Sequence, residues 1–365
     1  MGGLTTRQRT KNAIFYLLMF ALPLAVVAAL PFAYYAVQKI LYPYHYCGSY
    51  GRVDGELGWT LAPDAQSCMS MGNWLDGKTY FSSTIFTDGL GFRSQSRSGE
   101  PPAGGVVTIG DSWTFGYAVD YEQSYPYHLA QMTDLPVVNL GVPAYGSAQA
   151  FLLLERHAAR LKPRAVVYLN QGLWARSICE GRGENTLLPC LRAGPAPDAV
   201  ELVKPRAGFV AAQAARGIYP GGYLTAGNTT WGYFVLSRPW ALGQKILAAA
   251  AGRLGLSGGN DMPGARPAAM HAFTLRRFLD LARAQGFVFI LVDPEGDYRQ
   301  PAAEAGADAP LVYMGPPEWR AEVAAPSRAL PPEQVRVPKD GHYADGMNRL
   351  IAAAVAKRLA AVTSR

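Results

Sequence analysis

The chain has 365 residues, of which 49% are hydrophobic, and a formal charge of +7. This length suits a membrane anchor with one large domain, or two small domains, and the hydrophobic content excludes global disorder. The positive charge is spread thinly, with Arg7, Arg9 and Lys11 outside any folded domain. It therefore excludes a nucleic-acid footprint and leaves at most a basic groove toward an anionic glycan.

Residues 13–38 carry no charge, a run longer than the ~20 residues that cross a hydrocarbon core. Arg7, Arg9 and Lys11 lie on its N-terminal side, and positive charge stays on the cytoplasmic face. The expectation is a single-pass helix in the inner (cytoplasmic) membrane, with residues 1–12 cytoplasmic and the body outside. A cleaved signal peptide is the alternative, with Ala29 and Ala33 near a cut site, but its apolar region is usually only about 7–15 residues. At and beyond the outer end of the anchor, Phe32, Tyr34, Tyr35, Tyr42 and Tyr44 suit a membrane–water interface.

Cys47, Cys68, Cys179 and Cys190 all follow the anchor, where an oxidising compartment lets thiols pair. Four cysteines allow three connectivities, and no Cys-x-x-Cys spacing suggests zinc. Cys47–Cys68 and Cys179–Cys190 close the shortest loops, each bridge stabilising by about 3 kcal/mol if formed. Buried free thiols are the other reading.

Residues 39–105 form a lead-in rich in Gly, Ser and Asp, expected as short strands and turns packed on the main domain, with 94–105 a flexible connector. From residue 106 a strand–helix rhythm begins: strand 106–109, helix 122–132, strand 136–140, a helix from Ser147, and strand 165–169. Such alternation predicts a parallel sheet covered by helices on both faces. Residues 174–266 interrupt it and are too long for a connection. They read as an insertion beside the active-site end, with helix 241–254 and the aromatics Tyr219, Tyr223, Trp231, Tyr233 and Trp240 as a sugar platform, a membrane face or plain packing. The rhythm resumes with helix 270–285 and strand 287–292. Asp293-Pro294-Glu295-Gly296 reads as a turn, and Met347, Leu350, Ile351, Ala354, Val355 and Leu359 share one face of a last helix.

The organising stretch is Val106–Gly116. Its apolar run ends at Gly110-Asp111-Ser112, which presents a serine hydroxyl past the carboxyl end of a strand, where ligands bind in open α/β sheets. A serine there attacks an acyl carbon once a base removes its proton. Asp111, beside it, reads as a brace for the turn through backbone hydrogen bonds.

Gly110-Asp111-Ser112-Trp113-Thr114-Phe115-Gly116 resembles the nucleophile block of the SGNH (GDSL-type) hydrolases, whose fold is a flavodoxin-like three-layer α/β/α sandwich. Asn139-Leu140-Gly141-Val142-Pro143-Ala144-Tyr145-Gly146 is similar to their second block, and Asp340-Gly341-His342 to their third. The resemblance implies Ser112 as nucleophile, His342 as base and Asp340 as the group that orients it, with an oxyanion hole from the Ser112 and Gly141 N–H groups. The family's Gly-x-Asn-Asp turn is replaced by Leu173-Trp174, so Asn170, with Gln171 beside it, is the candidate third donor. The lead-in motifs Gly55–Trp59 and Thr87–Arg93 look like those of anchored relatives. His45 adjoins the anchor, while His128, His157 and His271 fall in predicted helices and read as packing or surface residues.

The combined expectation is a membrane-anchored serine esterase or O-acyltransferase acting on O-acyl, chiefly O-acetyl, groups of an exported or cell-envelope polysaccharide, in the manner of alginate O-acetylation enzymes. Its partners would be an acylated glycan or other acyl ester, the membrane and an envelope polysaccharide-modification complex. No metal or organic cofactor is implied. The rival reading is a degenerate domain that binds glycan or scaffolds an envelope complex.

Overall fold

The computed structural model describes residues 41–73, 75–97, 99–172, 176–179, 186–196, 199–215 and 267–363, with scattered positions between 15 and 37. The chain divides into two units, the larger being Tyr44–Gly72, Thr79–Gly227 and Met262–Arg365, and every element named below belongs to it. Among the described residues no helix is long and apolar enough to cross a membrane. The anchor expected over 13–38 lies mostly outside the described residues, and the aromatics from Tyr219 to Trp240 and helix 241–254 lie wholly outside them.

The strands are β1 (Tyr44–Tyr46), β2 (Gly51–Asp54), β3 (Gly58–Leu61), β4 (Gln66–Gly72), β5 (Thr79–Thr87), β6 (Arg93–Ser94), β7 (Val106–Gly110), β8 (Val137–Gly141), β9 (Ala165–Leu169), β10 (Cys190–Ala193), β11 (Val200–Val203), β12 (Val288–Val292) and β13 (Leu311–Met314). Five helices bear on the site: α1 (Ser112–Phe115), α2 (Tyr125–Met132), α3 (Ser147–Leu161), α4 (Pro267–Gln285) and α5 (Asp345–Thr363).

Nine strands make one sheet in the order β1-β4-β5-β6-β8-β7-β9-β12-β13. From β8 to β13 all neighbours are parallel. Numbered among themselves these five run 2-1-3-4-5, the flavodoxin-like order. β7 and β9 are buried at every position, which explains their unbroken apolar sequence. Side chains alternate between faces. Val106, Ala165, Val167, Ile290 and Val292 cluster with Tyr125 and Leu129 of α2 and Met347, Ile351 and Val355 of α5. On the other face Tyr168 and Phe289 meet Phe278 of α4, which also packs edge-on against Phe151 of α3. The result is the three-layer sandwich that the sequence rhythm predicts. The predicted helix 122–132 begins as a 3₁₀ turn at Tyr121–Gln123, and α2 follows it. β13 lies beyond the last strand expected from the sequence, and its pairing with β12 (Phe289↔Leu311 to Val292↔Met314) makes it a strand.

The lead-in corrects the sequence expectation. It does not simply pack on the domain; β1, β4, β5 and β6 extend the sheet itself as an antiparallel wing, so the sheet is mixed rather than wholly parallel. β4 and β5 alternate buried with less buried positions, but Ser67 and Ser83 occupy buried sites, which hides the period. β6 meets β8 through the pair Arg93↔Asn139. The Arg93 guanidinium is fully buried, donates to Thr84 O (3.0 Å) and Val119 O (3.2 Å), and lies 4.8 Å over the Phe115 ring. Burial pushes its pKa down to about 10.

Of the insertion, β10 and β11 form an antiparallel ribbon and Ala207–Ala215 a helix. Both local disulfides are present, Cys47–Cys68 and Cys179–Cys190, and no cysteine is free among the described residues.

Candidate active site

β7 ends where the order of parallel strands reverses, with β8 on one side and β9 on the other. Chain leaving that point enters a crevice between neighbouring loops, which is why ligands bind there. Gly110 turns the backbone at φ +149°, and a Cβ on it would meet the Thr114 side chain and the Leu169 carbonyl. Asp111 caps the one-turn helix α1, its Oδ1 accepting from Trp113 N at 3.0 Å. This is the bracing role read from sequence. Ser112 is thereby the first residue of α1, largely buried at 9% exposure.

The turn 340–342 faces it from the other end of the chain. Ser112 Oγ is 2.9 Å from His342 Nε2, and His342 Nδ1 is 2.6 Å from Asp340 Oδ1. The same Oδ1 accepts from His342 N at 3.1 Å, which fixes the turn. With the Nδ1 proton held by the carboxylate, Nε2 offers its lone pair to the serine hydroxyl. Burial pushes the Asp340 carboxyl up, but bonds from His342 and Tyr44 outweigh it and hold it below the ordinary aspartate value. Asp340 therefore stands as a carboxylate at neutral pH, able to stabilise an imidazolium.

Asp111 is the second carboxylate here. Its Oδ2 lies 3.3 Å from Ser112 Oγ and 3.6 Å from Arg176 Nη1. Burial pushes it up, partly countered by Arg176. Aromatic rings enclose the imidazole, Trp113 at 4.7 Å and Tyr117 at 4.8 Å. Arg336 lies over Trp113 (4.9 Å) and Tyr343 (4.5 Å) and donates to Gly341 O, which backs the turn.

The oxyanion donors are arranged differently from the expectation. Ser112 N, at the start of α1, has no intrahelical acceptor and none among the described residues. Gly141 N donates to Asn139 Oδ1 at 2.9 Å, while Asn139 Nδ2 reaches Thr114 O at 2.9 Å. Asn170 is wholly buried, and both its amide hydrogens are engaged by Asp293 Oδ1 (2.9 Å) and Asp297 Oδ2 (3.1 Å). Gln171, the next residue beyond β9, instead donates to Tyr343 OH at 2.9 Å. Ala144 holds φ +66°, where glycine is usual, and its N–H has no acceptor among the described residues. Val142, two residues earlier, donates to Gly110 O, which keeps this loop against the nucleophile turn.

Asp293 serves the turn as read: Oδ2 accepts from Tyr298 N and Tyr313 OH, both at 2.9 Å. His128 pairs with Asp345, His157 packs on Phe92 and His271 on Tyr298, so none joins the Ser112 site. His45 faces β4 opposite Ser70. Leu173 and Trp174 lie outside the described residues. Among the described residues no cluster of His, Cys, Asp and Glu suits a metal.

Sequence reasoning placed Tyr44 at a membrane interface. Its hydroxyl donates to Asp340 Oδ2 at 2.7 Å, a contact that reading did not include, and Tyr46 OH pairs with Tyr117 OH at 2.6 Å. No local pattern announces a contact between residues 296 positions apart.

No family model matches the sequence, and no curated protein matches it either. Solved structures that match include a member of the lipolytic protein G-D-S-L family from Veillonella parvula, at 12% identity and TM-score 0.34, covering 69% of this chain and 96% of that one. A catalytic mutant of Axe2, an acetylxylan esterase from Geobacillus stearothermophilus, matches at 12% identity and TM-score 0.33, covering 71% and 95%. At such distances the likeness assigns no activity. The resemblance to the SGNH hydrolases rests on the chain itself: three sequence blocks, the 2-1-3-4-5 strand order and the meeting of Ser112, His342 and Asp340.

Proposed function

We propose that this chain is a serine esterase or O-acyltransferase working through an acyl-serine on Ser112. The observation that carries the reading is the hydrogen-bonded line from Ser112 Oγ through His342 to Asp340. In it, Oγ attacks the acyl carbon while His342 Nε2 takes its proton. The tetrahedral oxyanion is met by the N–H of Ser112, with the N–H of Ala144, on the loop that Val142 ties to Gly110 O, as the second donor. Collapse returns the proton to the leaving alcohol and leaves the acyl group on Ser112. Water or an acceptor hydroxyl then gives up a proton to His342 and carries the acyl group away. This chemistry needs no metal or organic cofactor.

The substrate class in this proposal is an O-acyl, chiefly O-acetyl, group on an exported or cell-envelope polysaccharide. The uncharged run 13–38 with its upstream Arg7, Arg9 and Lys11 supports an inner-membrane anchor and an extracytoplasmic body, as do two disulfides. A reporter fused after Arg365 that is active only in the cytoplasm would overturn that placement. A second reading, a glycan-binding or scaffold domain without turnover, is favoured by the engagement of Gly141 N and the Asn170 amide elsewhere. Fluorophosphonate labelling of Ser112 together with acetyl release or transfer from an acetyl ester decides between the two; binding without labelling selects the scaffold.

A further inference from the structure

Asp340 keeps its side chain only 1% exposed, so each carboxylate oxygen depends on protein donors. Oδ1 has two, both from His342. Oδ2 has one among the described residues, the Tyr44 hydroxyl at 2.7 Å. That hydroxyl arrives on β1, a strand of three residues at the edge of the sheet, paired with β4 through Tyr44↔Met71, His45↔Ser70 and Tyr46↔Met69. The strand is closed at its far end by the Cys47–Cys68 bridge and by Cys47 N donating to Cys68 O at 3.1 Å. Its second tyrosine, Tyr46, bonds Tyr117, whose ring lies 4.8 Å from the His342 imidazole. Two side chains of one short strand thus bear on the two members of the Asp340–His342 pair.

We infer that Tyr44 is a positioning residue of the active site, the fourth link in the line Ser112–His342–Asp340–Tyr44, and that the Cys47–Cys68 bridge holds β1 in place to supply it. The inference rests on the esterase or acyltransferase reading above. Its physical content is that a buried carboxylate oxygen deprived of its donor is left unsatisfied. Asp340 then turns toward other donors, and the imidazole it orients loses its fixed angle to Ser112 Oγ. The charged and titratable groups facing the pair are Tyr44 and Tyr46 from β1, Asp111 and Tyr117 around α1, and Arg336 on their own segment.

The test uses the full-length chain in detergent and an aryl acetate, comparing wild type, Tyr44→Phe, Asp340→Asn and the double variant. Loss of a hydrogen bond to a charged group predicts a fall in kcat of about tenfold for Tyr44→Phe. The acid limb of kcat/KM moves to higher pH, because the less satisfied Asp340 holds the imidazolium longer. In the Asp340→Asn chain Tyr44→Phe costs nothing further, since the group it acts through is gone. Cys47→Ala with Cys68→Ala lowers kcat in the same direction, and less so once Tyr44 is already Phe. An unchanged kcat and pH profile overturns the inference, and so does an equal further loss in the Asp340→Asn chain, which marks mere packing. If wild type neither labels at Ser112 nor turns over ester, the functional reading fails. The positional claim is then decided by the downfield proton resonance of His342 Nδ1–H: movement on Tyr44→Phe supports it, and a fixed resonance overturns it.

Discussion

The parallel half of the sheet and its antiparallel wing contribute to the site in different ways. β7, β8 and β9 present Ser112 and the loops around it at their carboxyl ends, a placement that follows from strand order alone. The wing holds neither nucleophile nor base. It reaches the site sideways, through Tyr44 on Asp340, Tyr46 on Tyr117, and Arg93 beneath Phe115 of α1. Topology thus suffices to set the reacting groups near one another, whereas their final angles depend on contacts from a part of the fold that topology does not require.

The largest effect belongs to the parallel half. Ser112→Ala removes the covalent route, and loss of such a residue lowers turnover on the order of 10⁴–10⁶-fold. His342→Ala should cost as much, and the pair together little more, because the two act as one unit. Acetyl release by each purified variant measures this; a double variant far below either single one would separate their roles.

Next comes the seam between the halves. Arg93→Ala leaves Thr84 O and Val119 O without their donor and opens a cavity beneath Phe115. The expected loss is about 3 kcal/mol in a denaturant titration. Hydrogen exchange should show the amides of β4 and β5 losing more protection than those of β7 and β9. Equal loss in both halves would mean that the sheet opens as one.

The smallest effect is a pH slope at the same boundary. His157 of α3 packs edge-on against Phe92 of the lead-in, with ring centroids 4.9 Å apart. Burial, helped by Arg156 and Arg160, pushes its pKa down from the ordinary imidazole value to about 4. The folded chain therefore binds fewer protons than the unfolded chain between these values. The stabilising contribution of neutral His157 is complete above the unfolded pKa and is lost as pH falls through the folded one. Stability should decline across that acidic window more steeply in wild type than in His157→Gln. Parallel curves for the two would remove His157 from the account.

Much of the parallel half was legible because each of its signals is local. Val106–Ile109 and Ala165–Leu169 are apolar throughout because they are buried on both faces. Gly110-Asp111-Ser112 and Asp340-Gly341-His342 are single turns whose residue types state their geometry. The wing was illegible for the opposite reason, since Ser67 and Ser83 sit at buried positions where an apolar residue would have shown the period. The oxyanion donors misled for a third reason. Gly141 reads as a donor, yet the nearby Asn139 side chain captures its N–H, and the left-handed φ +66° falls on Ala144, which no residue-type rule marks. Asn170 and Gln171 were indistinguishable in sequence, and only their partners, Asp293 and Asp297 for one and Tyr343 for the other, separate them.

Ser112 lies 230 positions before His342, and Tyr44 lies 296 before Asp340. The order of synthesis therefore matters to a reactive serine. On the proposed reading, a chain still being made has Ser112 early and gains its base only once residue 342 has been added. A chain clipped just after Tyr44 keeps the Ser112–His342 pair and loses the donor behind Asp340. On the proposed reading, the alcohol of Ser112 thus stays an ordinary alcohol until Asp340 and His342 have been made and folded back onto it.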